Sequence, residues 1–348
     1  MVPLRRKLAY AAITAGLTFA LGVCTLFALD VYVHQRTQNL GGVNVWGYRG
    51  PTVGGKAAGE TRVVVLGGST AFGYGVPYDE AMPFYLEQKL NAVGGRPYRV
   101  VNLGAPSQGA FGFLADLADY AYLHYDVAIL YEGYNDLGVR GHPSAVPPRD
   151  SPNYSLWRRQ SPLFRLAGYF PILPLVLREK AMLVASGGQL DEAYRGRVAF
   201  KPGLAKRTTA AALQGAADVA DRLGFAIGPF SGTAPALKGE ASLQQLETWE
   251  HYTSSVLDAV GFARRQGVGV IVVTQPYASD SHVAQQRAMA AALAAAYGGD
   301  RFVQYVNLGT TVDLRDRSIA YDGLHLVAQG NALIAGHLVE PVLAVAPH

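Results

Sequence analysis

The sequence predicts an α/β domain, a parallel sheet covered by helices on both faces, preceded by one membrane-spanning helix. Three observations carry this: short apolar runs rich in β-branched residues, helical patterns between them, and an uncharged stretch near the N-terminus. The runs are Arg62-Val63-Val64-Val65-Leu66, Tyr98 to Leu103, Asp126 to Tyr131, Val268 to Val273 and Phe302 to Val306. Continuous rather than alternating hydrophobicity marks strands buried on both faces. Helical periodicity lies near residues 82–92, 110–123, 243–265, 281–297 and 328–339. Strand alternating with helix implies right-handed crossovers and therefore parallel pairing.

The N-terminal stretch, Leu8 to Leu29, has neither charge nor proline and suffices to cross about 30 Å of hydrocarbon as a helix. Arg5, Arg6 and Lys7 precede it, which places residues 1–7 in the cytoplasm and everything after Asp30 across the membrane, in the periplasm or outside the cell. A cleaved signal peptide would have a shorter apolar core and a small-residue cleavage site, which Phe27-Ala28-Leu29 does not offer. Lipid attachment at Cys24 is disfavoured by the bulk of Val23 and by the apolar run beyond it. A buried core helix is disfavoured because the segment is terminal and apolar all round.

Net charge is +4, and three of the positive charges are that basic cluster, so the remainder has no electrostatic footprint for nucleic acid. Cys24 is the only cysteine, which excludes an intramolecular disulfide, a thiolate nucleophile in the exported part and a cysteine metal site. The eight histidines show no metal-ligand spacing, so no metal is expected. Chemistry falls to hydroxyls, carboxylates and imidazole.

Residues 30–60 form the expected linker; from 35 onward it is a glycine-rich tether that ends in docking contacts from Trp46 and Tyr48. The folded domain is expected over 61–348. One region breaks the alternation: residues 137 to about 207 hold clustered prolines and an apolar stretch from Leu163 to Val184. It reads as an insertion, either a lid or binding wall, a helical flap packed on the domain, or a segment resting on the membrane surface.

Four strings stand at or after strand ends, where parallel sheets bind ligands. They are Gly67-Gly68-Ser69-Thr70, Asn102-Leu103-Gly104, Gly133-Tyr134-Asn135-Asp136 and Asp322-Gly323-Leu324-His325. A serine hydroxyl needs a base to take its proton as it attacks. Ser69 is the candidate nucleophile, His325 the base, and Asp322 the residue that orients the imidazole, the acid and base being close enough for one turn to join them. Backbone N–H groups of Ser69 and Gly104 and the Asn135 side chain are candidate donors to an oxyanion. Taken singly, each string has a plainer reading: a turn-closing Gly-Ser-Thr loop, a strand-end glycine, an Asx-turn, and an N-capping aspartate with a surface histidine. Their joint occurrence in this order favours catalysis. A phosphate loop is disfavoured, since no lysine follows where one is required.

The four strings resemble the Ser, Gly, Asn and His blocks of the SGNH hydrolases, or GDSL-like esterases, over Arg62 to the C-terminus. The resemblance implies a flavodoxin-like three-layer α/β/α domain, ester or acyl-transfer chemistry and no cofactor. It assigns Ser69 as nucleophile, Gly104 and Asn135 as oxyanion donors, and Asp322 and His325 as orienter and base. Block I departs from the family pattern: it reads Gly-Gly-Ser-Thr, where Gly-Asp-Ser is usual. With an N-terminal anchor and Gly47-Tyr48-Arg49-Gly50 just upstream, the chain is similar to membrane-tethered bacterial members.

Ala105-Pro106-Ser107-Gln108-Gly109 nearly matches a nucleophile elbow but lacks the first glycine, so Ser107 reads as a loop residue. Tyr74, Tyr78, Tyr131 and Tyr134 crowd the blocks and suit either sugar stacking or ordinary packing. The expected function is a membrane-anchored serine esterase acting on acylated small molecules or glycans, O-acetyl esters of envelope or exported glycans foremost. The alternatives are acyl transfer to a glycan hydroxyl with the same triad, and a non-catalytic binding scaffold.

Overall fold

In the computed structural model, the described residues are 3–38, 41–106, 108–137, 161–185, 216 and 249–347. In chain order the elements are α1 (Leu4–Thr37), β1 (Thr61–Gly67), α2 (Ser69–Phe72), α3 (Met82–Val93), β2 (Tyr98–Asn102), α4 (Phe113–Asp119), β3 (Val127–Tyr131), α5 (Pro162–Ala167), α6 (Leu173–Ala185), α7 (Glu250–Arg265), β4 (Gly269–Thr274), α8 (Asp280–Tyr297), β5 (Val303–Asn307) and α9 (Ala328–Val345). They belong to two compact units, Met1–Arg36 with Arg158–Gly232, and Thr37–Trp157 with Thr233–His348.

The sheet of the second unit has the order β2-β1-β3-β4-β5, parallel throughout. This is the flavodoxin-like order, whose direction of winding reverses between β1 and β3. Every residue of β1, β3 and β4 is buried, which is why their sequences run apolar without alternation. On one face Val63, Val65, Ile129, Ile271 and Val273 join a core with Met82, Leu86 and Leu90 of α3 and Ile334, Leu338 and Val342 of α9. On the other, Val64, Leu66, Leu130, Val270 and Val272 are buried beneath α4 and α7, whose Phe113, Leu117, Val256 and Val260 are also buried.

Strand limits follow the expected ones within one residue. Helix limits differ more: α4 covers only the middle of 110–123, flanked by 3₁₀ turns at Ala110–Gly112 and Ala121–Leu123, and α9 continues through Pro341 to Val345. Of the expected helix at 243–265, residues 243–248 lie outside the described residues. The docking contacts expected at the end of the tether are made by a segment from Val43 to Gly50. Val43, Asn44, Tyr48 and Arg49 are buried, the Tyr48 hydroxyl accepts the Val53 N–H at 2.7 Å, and the Trp46 carbonyl accepts the Tyr120 hydroxyl at 2.9 Å. The Arg49 N–H donates to Asn102 O at 3.0 Å, and its guanidinium lies 4.2 Å over the Phe72 ring while bonding Val76 O.

In the first unit, α1 is one helix of 34 residues, longer than the apolar run that predicts it. Its apolar side chains are exposed, Leu8, Leu17 and Leu21 by 61, 67 and 70%, as a helix surrounded by lipid requires. It has the length and composition to cross a membrane. Beyond Leu29 the pattern inverts, with Asp30 and His34 the buried residues of the helix. Asp30 accepts the N–H groups of Ile172 at 2.9 Å and Leu173 at 2.5 Å and the Tyr169 hydroxyl, which puts a carboxylate at the N-terminus of α6. His34 Nε2 lies 2.8 Å from Phe170 O. Ser161 caps α5 by accepting the Phe164 N–H. Of the expected insertion at 137–207, residues 137 and 161–185 are described.

Candidate active site

β1 ends at Gly67, packed so tightly against the Tyr131 carbonyl that no Cβ fits between them. Gly68 leads into α2, a single turn that Gly73 ends in left-handed conformation, φ 77°. The turn lifts Ser69 to the carboxyl edge of the sheet, where its N–H is a first-turn donor with no partner inside the helix.

The Asp322 to His325 string folds on itself for reasons readable in its four residues. Gly323 takes the left-handed φ of 87° that the turn needs, and Asp322 Oδ1 accepts the N–H groups of Leu324 at 3.0 Å and His325 at 2.8 Å. A backbone bond from Tyr321 N–H to His325 O closes the turn. Asp322 Oδ2 then faces His325 Nδ1 at 2.6 Å, and His325 Nε2 faces Ser69 Oγ at 2.7 Å. Burial would push the Asp322 carboxyl up, but the bonds from the His325 N–H, its ring and the Leu324 N–H outweigh it and hold the group below its ordinary value. The exposed rings of Tyr74 and Tyr321 flank the imidazole at 5.2 and 5.9 Å, Tyr321 stacked on it.

The expected oxyanion donors lie on the strands either side of β1, in different states. The Gly104 N–H donates to Asn102 Oδ1 at 3.0 Å, while Asn102 Nδ2 donates to Ala71 O at 3.1 Å, tying β2 to α2. Gly104 has to be glycine, because a Cβ there would stand 2.5 Å from the Phe72 nitrogen. Presenting its N–H to a substrate requires the Asn102 bond to open or be shared. Asn135, on the 3₁₀ turn Tyr134–Asp136, gives one amide hydrogen to Gln108 O at 2.9 Å; the other has a long 3.4 Å contact with Glu132 Oε2, which has to open or be shared, as at Gly104, for that hydrogen to reach a substrate.

Ser69, Asp322 and His325 therefore meet in one chain of hydrogen bonds, with Gly104 and Asn135 on the adjoining strand ends. Ser107 lies outside the described residues. Of the four tyrosines near the blocks, Tyr74 lines the site, Tyr134 bonds Pro276 O, Tyr131 is buried, and Tyr78 stacks edge-on against Phe84. Sequence reasoning missed Asn102 and Glu132. Glu132 had a signal, a carboxylate directly after the apolar run Val127–Tyr131; Asn102 had none beyond its place beside Gly104.

No family model matches the chain, and no curated protein does. Among solved structures it is similar to a lipase/acylhydrolase from Enterococcus faecalis, at 13% identity over 82% of this chain and 97% of that one, with a TM-score of 0.42. It is similar to a family 3 carbohydrate esterase of Clostridium thermocellum, at 13% over 83% and 100%, TM-score 0.41. A catalytic mutant of an acetylxylan esterase from Geobacillus stearothermophilus gives 12% over 84% and 96%, TM-score 0.42. With TM-scores below 0.5, these likenesses do not bear on the chemistry, which rests on the side chains above.

Proposed function

We propose that this chain is a serine esterase of the SGNH type, held to the membrane by α1 with its catalytic unit on the non-cytoplasmic side. The observation that carries the reading is the continuous path Asp322 Oδ2, His325 Nδ1, His325 Nε2, Ser69 Oγ, with links of 2.6 and 2.7 Å. A surface serine and histidine have no need of that alignment, nor of an aspartate that fixes the ring tautomer by leaving Nε2 free to accept.

In the proposed reaction His325 Nε2 takes the Ser69 proton as Oγ attacks the ester carbonyl, and Asp322 stabilises the imidazolium. The negative charge that develops on the carbonyl oxygen is met by the Ser69 N–H, with Asn135 and Gly104 on either side. Collapse expels the alcohol, which takes the proton from His325 and leaves an acyl-serine. Water repeats the steps in reverse, releases the acid and restores the serine. The substrate proposed is an O-acyl ester, an acetyl group on an envelope or exported glycan, supported by the export orientation that Arg5, Arg6 and Lys7 imply and by the open rim of Tyr74 and Tyr321.

The test uses the full-length chain in detergent micelles on a small aryl acetate, beside Ser69→Ala and His325→Ala. Hydrolysis by the wild type and near-complete loss in both variants is the expected outcome. Equal rates in all three proteins would remove the assignment. Repeating the assay with a sugar acceptor distinguishes release of acetate from transfer to a hydroxyl.

A further inference from the structure

The Glu132 carboxyl, 1% exposed, sits directly behind the candidate oxyanion site. Its Oε1 accepts the N–H groups of Gly133 at 2.9 Å and Asn135 at 3.0 Å, its Oε2 faces Asn135 Nδ2 at 3.4 Å, and the Gly68 N–H also donates to it. One buried group thus gathers donors from the residue preceding the nucleophile and from the asparagine on the next strand. Burial of a carboxyl is tolerated only where such bonds are made, so these loops and the carboxyl hold one another in place.

Gly68 supplies an independent observation. Its φ of −81° is one that any L residue adopts. A Cβ there would nevertheless stand 2.5 Å from Glu132 Oε2, closer still to Asn135 Nδ2, and 3.0 Å from Gln108 O. What excludes a side chain at position 68 is therefore the Asn135 amide and the Glu132 carboxyl, with the Gln108 carbonyl beside them, and not the conformation of Gly68 itself. Position 68 is also where block I lacks its usual aspartate, so the carboxylate missing before the nucleophile reappears from the end of β3.

We propose that Glu132 is a positioning residue of the oxyanion site, occupying from β3 the space that a carboxylate side chain at position 68 would fill and fixing Asn135 relative to Ser69. The proposal rests on the esterase reading for its kinetic consequence, but not for its geometry. Ionised, Glu132 accepts all of these donors; protonated, it turns an O–H toward N–H groups and the arrangement loosens. Burial pushes this carboxyl up to about 7 against the pull of its hydrogen bonds. The titratable groups around it are Asp136 and Tyr134 in its own loop, Tyr131 of β3, Tyr252 of α7, whose hydroxyl bonds Glu132 O, and His282 of α8, next to Gly133. Below about 7 the rate is thus expected to fall as Glu132 takes up a proton.

The test is a rescue. Full-length wild type, Ser69→Ala, Glu132→Gly, Gly68→Asp and Gly68→Asp/Glu132→Gly are assayed on an aryl acetate in micelles, with kcat and KM measured from pH 5 to 9. Each single substitution at 68 or 132 is expected to lower kcat by roughly 10²-fold, the scale of losing one oxyanion donor, with KM within about twofold. The double variant should recover to within about tenfold of wild type. A double variant no better than the poorer single one, in a preparation whose wild-type activity depends on Ser69, overturns the positioning role and spares the esterase reading. Activity that survives Ser69→Ala, or no wild-type activity, overturns the esterase reading instead, and the geometry is then decided by ¹⁵N-glycine labelling of the wild type. The same measurement serves if Glu132→Gly does not fold. The Gly68 and Gly133 amide resonances should move together on titration with one midpoint, and resonances that titrate apart or stay still overturn the proposal.

Discussion

Asp322 meets His325 twice: Oδ1 accepts its backbone N–H at 2.8 Å, and Oδ2 faces ring Nδ1 at 2.6 Å. One carboxylate therefore shapes the turn and orients the ring. Asp322→Asn keeps an acceptor for the backbone bonds but favours the wrong tautomer, so kcat should fall by roughly 10³ to 10⁴-fold with the melting temperature nearly unchanged. Asp322→Ala should lower both. Aryl acetate kinetics and thermal melts in micelles separate the two effects.

The contact between Gly104 and the nucleophile turn predicts a different loss. A methyl group at 104 would press on the Phe72 nitrogen at 2.5 Å and on the Ala71 carbonyl carbon at 2.9 Å, both backbone atoms. Gly104→Ala should destabilise the unit by about 1–3 kcal/mol, the usual range for overpacking, and move Ser69 away from His325. A lower melting temperature together with slower labelling of Ser69 by a fluorophosphonate is the expected pair of results.

Two buried groups should give stability opposite dependences on pH. Glu132 is raised to about 7 in the fold, so the folded state holds its proton more tightly; its contribution is fully present below the unfolded value near 4.5 and is lost as pH rises through about 7. His282 is lowered to about 4 by burial, so its contribution is present above 6.5 and is lost as pH falls through about 4. Thermal melts from pH 4 to 8 should therefore show Glu132→Gln removing a decline toward neutrality and His282→Gln removing a decline toward acid.

In the first unit, Asp30 accepts two backbone N–H groups at the start of α6. Replacing a helix-capping carboxylate typically costs about 0.5–2 kcal/mol. Asp30→Ala should accelerate amide hydrogen exchange at Ile172 and Leu173 by roughly 5- to 30-fold, the equivalent of about 1–2 kcal/mol. Unchanged protection at those two amides would contradict the cap.

Strands were legible because β1, β3 and β4 are buried on both faces and had to be written as uninterrupted apolar runs. The strings at the strand ends were legible because glycine, asparagine and aspartate in turns carry local geometry, as Gly323 and Asp322 do in the histidine turn. Partners brought from afar were not. Asn102 acts on Ala71, and Asp30 on Ile172, through contacts that leave no periodic trace in either segment. In the glycine-rich stretch 35–60 the docking contacts expected of Trp46 and Tyr48 were legible from their aromatic character, whereas the burial of Asn44 and Arg49 beside them, which also fixes Val43 to Gly50 in place, had no signal in a polar, glycine-rich sequence.

Because the nucleophile's strand lies between the two that carry Gly104 and Asn135, the width of the site is the spacing of neighbouring strands, about 4.8 Å on either side. That distance is a property of the peptide ladder and not of any loop. Loops that follow the strand ends are thus at liberty to diverge in length and chemistry while the reacting groups keep their separation.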